Sequence, residues 1–465
     1  MGNLPESPFA RERFIAELAV QRASILTKRL LPSSPFDAAT TVGTNGITSS
    51  NGITSSNSPS SNSPATTTIT SGATAPRPNH LDSSHLHNGY NYARKNSQIS
   101  KSDASPVTAG DFAAQALLIS AVHGAFPDDG FVGEEDANAL RRDPELARQV
   151  WEFVTSTHLD DAASDALLAT PATIEDMFDV IDLGGKGRGG PTGRFWALDP
   201  IDGTAAFIKG QQYAMSLALI DGGREVVGVL GCPNLRLLDD DDLLGDGDDA
   251  SSGGGRTPVE ETSVDEYGMG LMLSAVRGQG TIFRRMGRGE LLDARRIEKV
   301  PHPATVRAKQ LLNHQQDNGH LAVPAPAAVE LRNLHFIDSS VSTATLSEKT
   351  RQLAEACGAP YPGTEVYSSH MRYAALVLGG REHVQVRVPK TRDAAWCIWD
   401  HAGSQLIYTE SGGGRVTDLL GKDIDFGSGR ELTRNWGLIT ADYTVHGKIF
   451  ELATDMLKAD AAAAQ

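Results

Sequence analysis

Apolar residues recur near helical spacing between residues 8 and 30. Phe14, Ile15, Leu18, Ile25 and Leu26 share that period with Arg22, and charges lie between them. The pattern predicts an amphipathic helix, ended by Leu31-Pro32-Ser33-Ser34-Pro35. A second helical pattern runs through Phe112, Ala116, Leu117, Ile119, Ala121 and Val122. Thr108-Ala109-Gly110-Asp111 leads into it, so Asp111 reads on local grounds as a cap or a first-turn acid. Phe131-Val132-Gly133 predicts a short strand, and 144–180 reads as mostly helical. Phe195-Trp196-Ala197-Leu198 reads as a buried strand end, which Pro200 is expected to terminate. The β-rich runs 213–220 and 226–230 flank Asp221-Gly222-Gly223 and predict a hairpin. Strands at 269–276 and 280–283 follow. Beyond about residue 300, strands (334–337, 383–388) alternate with helices (368–378, 402–411, 449–457), which favours an α/β arrangement.

Two stretches break this patterning. From about 33 to 100, Ser, Thr, Asn, Gly and Pro dominate, and Asn-Gly-Ile-Thr-Ser-Ser occurs in tandem at 45–50 and 51–56. With so few apolar groups to offset its ordering entropy, this segment is expected to be a disordered insertion between the first two helices. Residues 236–263 form a second, acidic insertion around Asp239-Asp240-Asp241-Asp242. Its spacing gives no EF-hand loop, so an exposed loop is expected. The stretch 184–193 is Gly-rich and holds Lys186 and Arg188, but it lacks a phosphate-loop pattern and reads as a flexible loop.

Composition narrows the function. The 465 residues carry a net charge of −16, which disfavours binding a nucleic acid polymer. A small anionic substrate remains compatible where metal ions neutralise the site. Cys232, Cys357 and Cys397 are odd in number and widely spaced, with no disulfide framework or zinc spacing. No apolar run is long enough to span a membrane, and the N-terminus has no secretory h-region. A cytoplasmic, monomeric chain without membrane partners is expected.

The chemistry concentrates in Asp199-Pro200-Ile201-Asp202-Gly203-Thr204. As a bare Asp-x-x-Asp this is an ordinary surface turn. Directly after a buried strand, the two carboxylates are able to converge on one point, and such oxygen ligands suit magnesium. Thr204 adds a hydroxyl beside them. Glu134-Glu135-Asp136 reads either as a solvated acidic cluster or as a further ligand source at a strand end.

The hexapeptide resembles the signature of the lithium-sensitive, magnesium-dependent phosphatase superfamily that includes the inositol monophosphatases. Val132-Gly133-Glu134-Glu135 upstream and Ile398-Trp399-Asp400-His401-Ala402-Gly403 downstream fit the same pattern in order and rough spacing. Ser105-Pro106-Val107-Thr108, Asp111-Phe112-Ala113-Ala114-Gln115, Gly193-Arg194-Phe195-Trp196 and Gly231-Cys232-Pro233-Asn234 resemble the 3'(2'),5'-bisphosphate nucleotidases within it. The likeness runs from about residue 8 to the last helix, the two insertions apart.

The resemblance implies a layered α/β/α/β/α sandwich of two domains, 1–298 and 299–465, with the active site between them. It implies hydrolysis of the 3'-phosphate of 3'-phosphoadenosine 5'-phosphate by two or three magnesium ions. Glu134, Asp199, Asp202, Asp400 and the carbonyl of Ile201 would hold the metals. Asp111 and Thr204 would activate the attacking water. Thr204, His320, Ser369, Arg372, Arg387 and Asp400 would contact the nucleotide. Arg372 stands where the family pattern has lysine, which keeps the charge and changes the geometry. Two alternatives use the same residues: an inositol phosphate phosphatase on the same metal core, and a catalytically silent nucleotide or metal sensor.

Overall fold

The computed structural model describes residues 7–32, 106–236, 259–297, 327–340, 342 and 344–463. Two sheets organise them. The first has seven strands in sequence order: β1 (Gly130–Gly133), β2 (Arg194–Asp202), β3 (Ala214–Asp221), β4 (Arg224–Cys232), β5 (Leu271–Val276), β6 (Gly280–Arg285) and β7 (Arg295–Ile297). β1 and β2 are parallel and every later pair is antiparallel. The second has five strands, β8 (His335–Asp338), β9 (Thr364–Glu365), β10 (His383–Arg387), β11 (Arg415–Thr417) and β12 (Leu438–Ala441), in the order β11-β12-β10-β8-β9.

Helices complete five layers. Outside the first sheet lie α1 (Ala10–Leu30) and α2 (Pro106–Ala125), with the short α3 (Asn138–Arg142), α4 (Pro144–Thr155), α5 (Ala162–Asp165) and α6 (Ile174–Lys186) beside them; α7 (Thr204–Phe207) follows β2. Outside the second sheet, α8 (Ser347–Cys357) packs on β8 and β10, and α11 (His446–Ala463) packs on β12. Between the sheets run α9 (Ser369–Leu378) and α10 (Ala402–Glu410). α10 lies on β3 to β6, while α9 lies on β8 and β10. Both middle helices are almost wholly buried because both faces meet a sheet. The result is the expected α/β/α/β/α sandwich.

Four local expectations change. α1 is not amphipathic in place: Glu17, Gln21, Arg22, Thr27 and Lys28 are all buried. Each burial is matched by partners. Arg22 donates to the carbonyls of Leu117, Leu168 and Ala169, Glu17 meets Arg284 and Ser274, and Lys28 donates to Asn234 Oδ1 and the Asp265 carbonyl. α2 begins at Pro106, so Asp111 lies beyond its first turn and caps nothing. α6 runs through Gly184 and Gly185 to Lys186, so the Gly-rich stretch starts as helix; Lys186 pairs with Asp182. The end of the acidic insertion is packed. Val259 is buried in the core, Gln212 donates to the carbonyls of Glu261 and Ser263, and Tyr367 N donates to Glu261 Oε2. The disordered insertion expected at 33–100, and residues 237–258 of the second, lie outside the described residues.

Candidate active site

β2 does not stop at Pro200. It continues to Asp202, and the register against β3 shifts between Asp199, opposite Ser216, and Asp202, opposite Ala214. Pro200 and Ile201 together oppose Met215, so Pro200 sits in a bulge, where its missing N–H breaks no ladder bond. The bulge re-aims the strand end. Gly203 then turns the chain at φ 93°, a region that favours glycine, and a Cβ there would stand 2.9 Å from Ser368 Cβ. Thr204 opens α7, and its Oγ1 donates to the Ile201 carbonyl at 3.3 Å.

This turn brings Asp199, Asp202 and Asp400 together, with one carboxylate oxygen from each within 4.8 Å of the others. Asp400 arrives from the second half of the chain, on the turn Ile398–Asp400, which packs on β2 and β3 just before α10. Asp199 is 2% exposed and its Oδ1 has no hydrogen-bond partner. Burial pushes the Asp199 carboxyl well above the carboxylate range, and the charges of Glu134, Asp202, Asp400 and Asp111 push it further. Burial, then Asp202, raises Asp400 to about 7, against the opposing pull of Arg387 and Arg372. Glu134, at the end of β1, and Asp111, on α2, are therefore near enough to act on the same centre. Gln115 fixes the backbone beside Glu134, accepting from Glu135 N and donating to its carbonyl.

The N-terminus of α9 grips Asp202. Its Oδ2 accepts from Ser368 Oγ at 2.5 Å and from His370 N at 2.6 Å, while Ser368 Oγ caps the helix by accepting from Met371 N. The His370 ring reaches the Asp400 segment, donating from Nε2 to the Trp399 carbonyl at 2.8 Å and accepting at Nδ1 from Ser404 Oγ. Neither residue was singled out from the sequence; the cap pattern at Ser368 was the one available signal.

The substrate candidates divide. Arg387 stands at the end of β10 with its guanidinium 4.3 Å from the centre of the Trp396 ring, and Trp396 stacks on His401. Asp400 and Asp202 both act on its charge. Arg372 is buried and turned onto protein, donating to the carbonyls of Val366 and Tyr367 and to Ser369 Oγ. Burial, then the neighbouring Arg387, lowers it to about 10. Ser369 is thus occupied as an acceptor for Arg372. His320 lies outside the described residues. Arg194 pairs with Glu12 and Asp129, away from the carboxylates.

The donor set fits a hard divalent cation. It consists of carboxylate oxygens from separate segments, one of them buried and without a partner, with Asp199 and Asp400 raised by burial and by the neighbouring acids. Fold and cluster together define a class: a layered α/β protein with a carboxylate centre for cations where its two sheets converge. The inositol monophosphatase family profile matches residues 83–455. A 3'(2'),5'-bisphosphate nucleotidase of Emericella nidulans is 32% identical over 451 residues, covering 97% of this chain and 99% of the relative. That of Schizosaccharomyces pombe is 33% identical, covering 78% and 87%, and that of Oryza sativa is 32% identical, covering 77% and 86%. The chain belongs to the inositol monophosphatase family. Among the described residues no helix is long and apolar enough to cross a membrane.

Proposed function

We propose that the chain is a magnesium-dependent 3'(2'),5'-bisphosphate nucleotidase that hydrolyses the 3'-phosphate of 3'-phosphoadenosine 5'-phosphate to leave AMP. The single observation that carries the reading is the convergence of Asp199, Asp202 and Asp400 around a buried, unpartnered carboxylate oxygen. The names of the relatives support the substrate. Glu134, Asp199, Asp202, Asp400 and the Ile201 carbonyl would hold two or three magnesium ions. When bound, these supply charge neutralisation of the phosphate and acidification of water.

The rest falls to the chain's own groups. Asp111 and Thr204 orient the attacking water and accept its proton, the hydroxyl being too weak an acid to act without the carboxylate. Arg387 carries the charge that a 5'-phosphate requires, held flat by Trp396. Arg372, in this reading, braces Ser369 and the wall of the cleft and adds its charge. His320 is assigned to the nucleotide by family pattern alone. The cleft lies between two domains, 1–298 and 299–465. The sulfated nucleotide is a second substrate of the same site, which gives the enzyme a place in sulfate assimilation.

The test is kcat/KM for 3'-phosphoadenosine 5'-phosphate, adenosine 3'-monophosphate and inositol 1-phosphate under one magnesium concentration. The bisphosphate is expected to lead by at least about tenfold, the worth of one charge-assisted phosphate contact. A preference for inositol 1-phosphate transfers the assignment to an inositol phosphatase, and hydrolysis of none of the three supports the silent sensor.

A further inference from the structure

Arg430 lies in no motif of the site. It follows the turn Phe426–Ser428 in the second half of the chain and is half-buried. Its guanidinium crosses to the first sheet. Nη2 donates to the Gly133 carbonyl at 2.8 Å, and Nη1 donates to the carbonyls of Gly184 and Gly187 at 2.9 and 3.0 Å. Gly133 is the last residue of β1 and immediately precedes Glu134. The same guanidinium lies 4.7 Å from the centre of the Trp399 ring, and Trp399 immediately precedes Asp400.

The main chain around Arg430 holds the other side. Its carbonyl accepts from Ile398 N at 2.9 Å, Glu431 bridges to Cys397, and Leu432 N donates to the Trp396 carbonyl at 2.8 Å. Residues 430–432 thus run along 396–398 by backbone bonds, while one side chain fixes the end of β1. The residues that precede Glu134 and Asp400 thus both touch a single guanidinium. Its side-chain partners are neutral carbonyls at the end of β1 and at the end of α6, and Glu134 is among the anions that act on it. A planar fork donates to three carbonyls while laying its face on an indole; an ammonium has three donors but no flat face, so it cannot keep this geometry.

Building on the metal reading above, we infer that Arg430 is a positioning residue. It sets the separation of the Glu134 and Asp400 carboxylates and thereby the affinity for the cations they share. Supporting groups one bond removed from metal ligands change metal affinity by roughly 10–100-fold when removed.

The test compares wild type, Arg430→Ala and Arg430→Lys by two readouts: the magnesium concentration giving half-maximal phosphate release, and that giving the half-maximal rise in Tm. Arg430→Ala is expected to need about tenfold or more magnesium in both, with the KM for nucleotide unchanged once magnesium saturates. Arg430→Lys is expected to be shifted as well. Millimolar guanidinium is expected to return Arg430→Ala, and not Arg430→Lys, towards the wild-type requirement, because in the lysine variant the space is filled. A variant that melts lower in EDTA but keeps the wild-type magnesium requirement makes Arg430 a structural brace and overturns the inference. If Arg430→Ala fails to fold, Arg430→Lys decides by the same criterion. A wild type whose Tm ignores magnesium overturns the metal reading, and this inference with it.

Discussion

Asp199→Asn removes one charge from the most buried of the three converging carboxylates without changing its shape. One of its oxygens lies within 4.8 Å of one from Asp202 and one from Asp400. At that separation and an effective dielectric constant of about 20, each like-charge pair costs about 3 kcal/mol. Partial protonation relieves some of this, since Asp400 is already raised to about 7. The net cost of keeping Asp199 in the metal-free fold is then about 2–3 kcal/mol. The asparagine amide also offers Asp400 a donor that an ionised Asp199 lacks. In EDTA the variant is therefore expected to melt a few degrees above wild type. Magnesium reverses the order. A hundredfold excess over Kd stabilises wild type by about 2.7 kcal/mol, while the variant, lacking a ligand, gains little. Phosphate release is lost in the variant under both conditions. The assay is Tm with EDTA and with a magnesium series for both proteins. A variant that melts below wild type in EDTA, or gains as much from magnesium, refutes the reasoning.

Three further outcomes are expected. Arg387→Ala raises KM for the bisphosphate by roughly tenfold to a hundredfold with a smaller effect on kcat, and the defect shrinks for adenosine 3'-monophosphate; equal losses on both substrates would remove Arg387 from the 5'-phosphate. Gly203→Ala forces a left-handed φ on alanine and drives its Cβ onto Ser368, so Tm falls and the magnesium requirement rises together; an unchanged Tm would contradict the strain. His446 is buried against Thr417, and burial, then Arg415, lowers it to about 4. Between about 6.5 and 4 the unfolded chain binds the extra proton, so stability falls as pH drops through that window. His446→Gln should flatten the fall in Tm between pH 7 and 4.5, and an unaltered profile would count against it.

Much of this architecture was legible because local pattern and burial agree. β3 and β4 read as a hairpin from β-rich runs around Asp221-Gly222-Gly223, and β8, β10, α9 and α10 appeared within a residue or two of their expected ends. α1 misled because its charges fall where an amphipathic helix would carry them. Their partners, such as Arg284 and Asn234, come from far along the chain, and no periodicity reports that. Pro200 misled for a related reason: a proline ends a regular strand, but a bulge tolerates it, and bulges are set by the partner strand. The convergence of Asp199, Asp202 and Asp400 was legible from their motifs, although the bare Asp-x-x-Asp spacing favoured an ordinary turn. The supports were not. Ser368, His370 and Arg430 act on Asp202, the Trp399 carbonyl and Gly133 across the two sheets, and nothing in their neighbours marks those contacts. Arg372 was legible as a cation but not as one turned onto backbone carbonyls.

The reaction proposed for the carboxylate centre, when it holds magnesium, is cleavage of one particular phosphate ester. Phosphorus NMR of 3'-phosphoadenosine 5'-phosphate with catalytic enzyme tests it most directly. With magnesium, the 3'-phosphate resonance should give way to inorganic phosphate while the 5'-phosphate resonance persists as that of AMP. In EDTA, or with Asp199→Asn, the spectrum should not change. Loss of the 5'-phosphate, or the same conversion in EDTA, would contradict the claim.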